Sequence, residues 1–224
     1  GLIVPDFLKE LNVEVVKLYC EPNGDFPHNP EPLKKNLTEL SKKVIECNAD
    51  LGIAVDPDVD RLVFVCEDGE LFGEENTLVA CADYVLSKTP GSTVSNLSSS
   101  RALNDITRKH NQVHYYSAVG EVNVVEKMKK YNAIIGGEGN GGVIYPESHY
   151  GRDSIVGIGL FLSLYAQRGL IASKLLETFP KYFMVKEKIN LSPSLNVDNI
   201  LSQIAGKYKN EKIDLVDGVR IDFK

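Results

Sequence analysis

Three aspartates at alternate positions, in the stretch Asp56-Pro57-Asp58-Val59-Asp60-Arg61, are the residues best placed to do chemistry. Carboxylates held this close repel one another, and a hard divalent cation with oxygen ligands relieves that repulsion. Without such an ion the arrangement only costs stability. A second constellation reads Gly136-Gly137-Glu138-Gly139-Asn140-Gly141-Gly142. Glycines on every side let this backbone approach a ligand closely. Glu138 can accept two hydroxyl hydrogen bonds, and Asn140 can both donate and accept, which suits vicinal hydroxyls. From these residues alone, a flexible glycine hairpin is an equally good reading.

A bland reading of the acidic stretch is the weaker one, and two sharper rivals fail on named residues. A solvated acidic turn is common, but it usually mixes in Ser, Asn or Gly and rarely ends in Arg before a buried strand. An EF-hand would put Asp56, Asp58 and Asp60 at its first, third and fifth positions and Glu67 at its twelfth. It needs Gly at the sixth, where Arg61 stands, and it needs helical flanks. A haloacid-dehalogenase-like motif would continue to Thr or Val where this chain has Asp60. The Ser98-Ser99-Ser100-Arg101 turn could meet an anion through hydroxyls and N–H groups, though helix N-capping is the favoured use.

The elements that must position these groups follow from periodicity. Leu51–Val55 and Leu62–Cys66 are short, rich in β-branched residues and read as strands flanking the acidic turn. Before them, Val13–Tyr19 reads as a strand. The proline-rich stretch Glu21 to Pro32 leads into a helix with Pro32 in its first turn and Leu33, Leu37, Leu40, Val44 and Ile45 on one face. Glu67-Asp68-Gly69-Glu70 reads as a hairpin turn returning through Leu71-Phe72. Glu75–Leu86 reads as a helix, and Ser87–Ser92 as a domain boundary. Strands near 93–97, 113–117 and 133–136 then alternate with helices, and the glycine loop joins the last of them to a strand near 143–145. The second of these helices carries Val122, Val125 and Met128. Asp153 is a good N-cap for a helix over Ser154–Arg168. Tyr182–Ile189 reads as extended and Ser192–Asn196 as a linker. A helix around Val197, Ile200, Leu201 and Ile204 and strands near 213–216 and 219–223 close the chain.

The bulk properties narrow the class. The 224 residues are 43% hydrophobic and 25% charged, as in an ordinary globular protein of one or two domains. A net charge of −6 without a Lys/Arg cluster argues against a nucleic-acid partner. Cys20, Cys47, Cys66 and Cys81 form no Cys-x-x-Cys pair, and three lie in apolar patterns, so free thiols in a reducing compartment are expected. The longest apolar stretch, Ile155 to Ala166, is too short to span a bilayer and is broken by glycines. The amino terminus has no signal-peptide pattern. A cytoplasmic protein is expected.

The two motifs, in this order and at this separation, resemble those of the α-D-phosphohexomutases: the phosphoglucomutases, phosphomannomutases and phosphoglucosamine mutases. Asp-x-Asp-x-Asp-Arg resembles their metal loop, with Val59 where many members carry Gly or Ala. Gly-Glu-x-Asn-Gly resembles their sugar-binding loop, with Gly142 where several carry a His suggested as the acid/base. His149 is near in sequence. The resemblance implies an α/β fold: two consecutive three-layer α/β/α domains with mixed sheets, then the start of a small α+β domain. Residues 1–88 resemble the family's second domain without its first strand, 89–183 its third, and 184–224 a linker and the opening of the fourth. His28-Asn29-Pro30 is not the family's phosphoserine loop, because Pro27 stands where Ser is needed. The phosphoserine domain and the distal phosphate clamp of the fourth domain are therefore expected partners outside these residues.

The reaction so implied moves a phosphoryl group between O1 and O6 of a hexose phosphate. It runs through a phosphoserine, with hexose 1,6-bisphosphate as intermediate and activator. Asp56, Asp58 and Asp60 would hold Mg²⁺ against the phosphoserine, Arg61 would add a cation beside it, and Glu138 and Asn140 would hold the sugar. The alternative from another class is a non-catalytic sugar- or metal-binding protein that has lost the serine.

Overall fold

The computed structural model describes residues 2–185, 187, 189–192 and 195–223. The apolar runs on either side of the acidic stretch are strands β1 (Leu51–Val55) and β2 (Leu62–Cys66), paired antiparallel with Val55 opposite Leu62. Asp56 to Arg61 is therefore the connection of a hairpin. All five β2 residues are buried, because helices cover the strand, whereas β1 is mostly half-buried. Upstream, helix α1 (Ile3–Glu10) buries Val4 and Leu8, an i,i+4 pair, and ends where Asn12 takes φ +58. A 3₁₀ turn (Lys34–Asn36) precedes helix α2 (Thr38–Glu46).

Three expectations are corrected here. Val13–Tyr19 forms no strand: no described strand pairs with it, and Val13, Val16 and Tyr19 are exposed. Pro32 lies ahead of α2 rather than in its first turn, and of the expected face Leu37 and Val44 are buried while Ile45 is exposed. The hairpin after β2 turns at Gly69 (φ +83) but returns only as a single bridge, Val65 to Leu71.

Helix α3 (Glu74–Lys88) starts after Gly73 and buries residues all round. A four-stranded mixed sheet follows, in the order β4-β3-β5-β6. Its strands are β3 (Thr93–Asn96), β4 (His114–Ser117), β5 (Ile135–Glu138) and β6 (Gly142–Ile144). β3 runs parallel to β4 and β5, and β5 runs antiparallel to β6. Helices α4 (Ala102–Lys109) and α5 (Glu121–Tyr131) make the crossovers. α5 buries Val124 and Met128, while Val122 faces solvent, because the helix begins only after Gly120 (φ +108) and the 124/128 pair meets the sheet. Helix α6 (Ser154–Arg168) is capped by Asp153, whose carboxylate accepts from the N–H groups of Ile155 and Val156, and ends at Gly169 (φ +60). Helices α7 (Ala172–Glu177) and α8 (Val197–Lys207) precede a two-stranded hairpin, β7 (Lys212–Asp214) and β8 (Arg220–Asp222). The expected extended stretch and linker are described only in part: residues 186, 188, 193 and 194 lie outside the described residues.

One buried cluster runs through both halves. Phe64 of β2 stacks on Phe161 of α6 with ring centroids 3.7 Å apart, and Phe72 meets Phe161 edge-on at 5.0 Å. The division expected at residue 88 falls at the end of α3, which packs on α4 and α6 as well as on β2. Of the cysteines, Cys66 and Cys81 are buried free thiols, and burial pushes Cys66 up to about 12; Cys47 is exposed. No helix among the described residues is long and apolar enough to cross a membrane.

Candidate functional site

The hairpin between β1 and β2 gathers the three aspartates. One carboxylate oxygen from each of Asp56, Asp58 and Asp60 lies within 4.8 Å of the others. Asp56 is buried and organises the turn: its Oδ1 accepts from the main-chain N–H groups of Asp60 and Arg61, both at 3.0 Å. Asp58 is exposed and Asp60 half-buried. Burial first, and the adjoining Asp56 carboxylate second, push the Asp60 carboxyl up to about 6, against the pull of Arg152. Its Oδ1 is buried with no hydrogen-bond partner. A hard cation needs oxygens of this kind, so the donor set fits a divalent metal such as Mg²⁺.

Arg61 does not stand free beside the triad. Its guanidinium pairs with Glu31 through Nη1 and lies 3.6 Å from Asp56 and 3.7 Å from Asp60 through Nε. Burial opposes its charge, but Glu31, Asp56 and Asp60 outweigh that and raise its pKa. The proline-rich segment thus contributes Glu31 to the site, a residue whose role its sequence does not signal.

The glycine loop lies where open α/β sheets bind ligands, beyond the carboxyl ends of parallel strands whose connections diverge. Glu138 ends β5 and Asn96 ends its neighbour β3. Glu138 is buried, and its Oε1 accepts from Asn96 Nδ2 at 2.7 Å and from the Gly120 N–H at the start of α5 at 3.2 Å. The serines of the turn after β3 brace this corner. Ser98 and Ser99 donate to Asn96 Oδ1 at 3.1 and 2.7 Å, and Ser99 Oγ accepts from the Gly139 N–H at 3.0 Å. Ser100 Oγ accepts from the Ala102 N–H at 3.3 Å, but the cap position of α4 is Arg101 and carries no side-chain cap bond, so the expected N-capping is corrected: Ser98 and Ser99 brace the corner instead. Asn140 Oδ1 accepts from the Gly142 N–H at 3.2 Å and is half-buried.

One residue that the sequence did not single out joins the two loops. Arg152 pairs with Asp60 of the aspartate hairpin through Nη2 and with Glu138 at 2.8 Å through Nη1. Its Nε lies 3.4 Å from Glu121, whose other oxygen accepts from the Arg152 N–H at 2.9 Å. A Cβ at Gly142 would overlap the Arg152 side chain, so the missing side chain at 142 is what admits the arginine. His149, by contrast, hydrogen-bonds to the helix-capping Asp153 at 2.9 Å and is half exposed. Two main-chain bonds complete the junction: Leu62 N–H to Gly141 O at 3.2 Å and Ser154 N–H to Val59 O at 3.0 Å.

Family models and known proteins match both halves of the chain. Residues 1–69 match the family model "Phosphoglucomutase/phosphomannomutase, alpha/beta/alpha domain II", and residues 74–182 match the corresponding domain III. A phosphoglucomutase/phosphomannomutase of Thermococcus kodakarensis is 34% identical over all of this chain and 49% of its own length. A probable phosphoglucosamine mutase of Methanopyrus kandleri is 33% identical over all of this chain and 50% of its own. The crystal structure of a phosphoglucomutase/phosphomannomutase family protein from Burkholderia thailandensis superposes with a TM-score of 0.84 at 27% identity, over 98% of this chain and 48% of that one. The chain belongs to the α-D-phosphohexomutase superfamily and carries its middle α/β/α domains. It spans about half the length of the curated relatives it matches.

Proposed function

We propose that this chain supplies the metal loop and the sugar-binding loop of a Mg²⁺-dependent phosphohexomutase. The whole enzyme would move a phosphoryl group between O1 and O6 of a hexose phosphate, through a phosphoserine and hexose 1,6-bisphosphate. The observation that carries this reading is that the aspartate triad and Glu138 lie one guanidinium apart, joined through Arg152. In this reading the boundary expected at residue 88 moves to the start of α3, in keeping with the matches over 1–69 and 74–182: residues before α3 are the second domain, α3 to about 183 the third, and 184–224 the opening of the fourth. The serine-bearing first domain and the remainder of the fourth are partners for the same reaction, in the cytoplasm.

Asp56, Asp58 and Asp60 would hold Mg²⁺, which when bound offsets charge on the transferring phosphoryl group. The other steps fall to the chain's own side chains. Asp56 shapes the turn through two main-chain N–H groups, and Arg61, oriented by Glu31, presents a fixed cation beside the phosphate. Glu138 and Asn140 hold ring hydroxyls, so one loop serves the sugar in both orientations. The named relatives support the reaction class, since each is called a mutase of a hexose or hexosamine phosphate.

The test is conversion of a hexose 1-phosphate to its 6-phosphate by the full protein carrying this chain, with Mg²⁺ and hexose 1,6-bisphosphate. Turnover lost on Asp58→Asn is expected. A full protein that binds sugar phosphate but never turns over would instead make this a binding protein. The chain alone, without a phosphoryl donor, is expected to give no turnover.

A further inference from the structure

Three carboxylates from three different elements converge on one guanidinium. Asp60 comes from the β1–β2 hairpin, Glu138 from the end of β5 and Glu121 from the first turn of α5, and all meet Arg152. Glu121 pins the residue at both ends, accepting from its main-chain N–H and lying beside its Nε. Arg152 is largely buried, with 14% of its side chain exposed, so its charge is not dispersed by water. Its two terminal nitrogens are divided between the loops: Nη2 serves Asp60 and Nη1 serves Glu138.

We propose that Arg152 is a positioning residue that makes cation binding at the aspartate triad and sugar binding at Glu138 interdependent. The inference rests on the metal and sugar reading of the two loops. A cation at the triad competes with Arg152 for the Asp60 carboxylate. Once Asp60 turns to the cation, the guanidinium rests on Glu138 and Glu121, and Nη2 loses its partner and is released as a donor between the two loops. Metal binding therefore sets Glu138 and frees a hydrogen-bond donor for the incoming hexose phosphate. A lysine could not do this, because its single ammonium cannot hold two carboxylates in a fixed fork. The Cβ-free position at Gly142 is what gives the arginine room to reach both.

The probe is Mn²⁺ alone, titrated into the chain and followed by electron paramagnetic resonance and by calorimetry. Arg152→Met removes the competitor and should tighten Mn²⁺ binding about fivefold. Glu138→Gln leaves the guanidinium to Asp60 and should weaken Mn²⁺ severalfold, but only while Arg152 is present; in the Arg152→Met background that effect should vanish. Arg152→Lys, which keeps the charge if the methionine variant folds poorly, should also shrink the response to Glu138→Gln. Unchanged or weaker Mn²⁺ binding in a folded Arg152→Met overturns the proposal. So does a Glu138→Gln effect of equal size with and without Arg152. A chain that binds no Mn²⁺ in any of these forms overturns the metal reading itself, and this inference falls with it.

Discussion

Val59 sits at φ +60, a backbone region that β-branched residues rarely enter. It is held there by two main-chain hydrogen bonds, its N–H to Asp56 O at 3.1 Å and its carbonyl from Ser154 N–H at 3.0 Å. Such a conformation costs about 1–3 kcal/mol. Val59→Ala keeps the strain and loses packing, whereas Val59→Gly loses both. The glycine variant should therefore be the more stable of the two by about 1 kcal/mol in urea unfolding, the reverse of the order at an ordinary site. Equal midpoints would mean that the turn stores no strain. Asp58 is the exposed member of the triad, so Asp58→Asn should abolish Mn²⁺ binding while the metal-free protein melts at the same temperature or higher. A metal-free variant that melts well below the parent would instead give Asp58 a structural role. Glu138→Gln should weaken both the 1-phosphate and the 6-phosphate, each by about 1.5–3 kcal/mol, measured by calorimetry in the full protein. At this scale the aspartates stand out by their density and spacing alone, whereas Glu138 and Asn140 read equally well as a glycine hairpin and are singled out by the family resemblance. Arg152 was not legible, because Gly151-Arg152-Asp153 is an ordinary helix approach and its partners lie far off in sequence. Glu31 was hidden in the same way inside a proline-rich loop.

Elements impose a different set of constraints. Gly141 takes φ +91, and a Cβ there would strike the Leu62 main chain. Gly141→Ala should therefore part β2 from the glycine loop and cost about 3 kcal/mol or more, seen as a large drop in the melting temperature and loss of sugar-phosphate binding. The pairing of β3 with β4 half-buries His114, which meets Thr93 Oγ1 at 2.8 Å and Ser95 Oγ at 3.2 Å. Burial first, with Arg220 and Arg108 adding, lowers its pKa from 6.5 to about 3. The unfolded chain takes up that proton below about pH 6.5 while the folded chain refuses it. Its contribution is therefore intact above 6.5 and lost as pH falls toward 3, about 2 kcal/mol between pH 7 and 5. His114→Gln should flatten that part of the stability profile; an unchanged slope would locate the acid sensitivity elsewhere. The strands flanking the aspartates were readable from their β-branched runs, whereas β5 (Ile-Gly-Gly-Glu) carries little such signal. Val13–Tyr19 carries the same local signal without a partner to pair with, and pairing is what makes a strand. The face of α5 slipped because Gly120 sets where the helix begins, and no periodicity reports that.

Across the whole molecule, the Phe64–Phe161 stack and the cluster around it tie the two matched domains into one core. Heating should unfold the chain in one transition with coincident near- and far-ultraviolet circular dichroism. Phe161→Ala should lower its stability by about 3–5 kcal/mol without splitting that transition. Two separate transitions would mean that the halves hold together less tightly than their shared core suggests. The main-chain bonds between the halves also bear on solvent labelling. The Leu62 and Ser154 amides donate across the junction, to Gly141 and Val59, at the rim of the site. Amides next to binding loops ordinarily trade their hydrogen for deuterium within seconds or minutes, through local opening. These two can do so only when the halves come apart, so they should exchange as slowly as amides in the middle of β2. A slow pair embedded among fast neighbours is a built-in clock for the opening of the interdomain junction. Its rate, read by mass spectrometry with and without Mn²⁺, would time how often the cleft loses its floor.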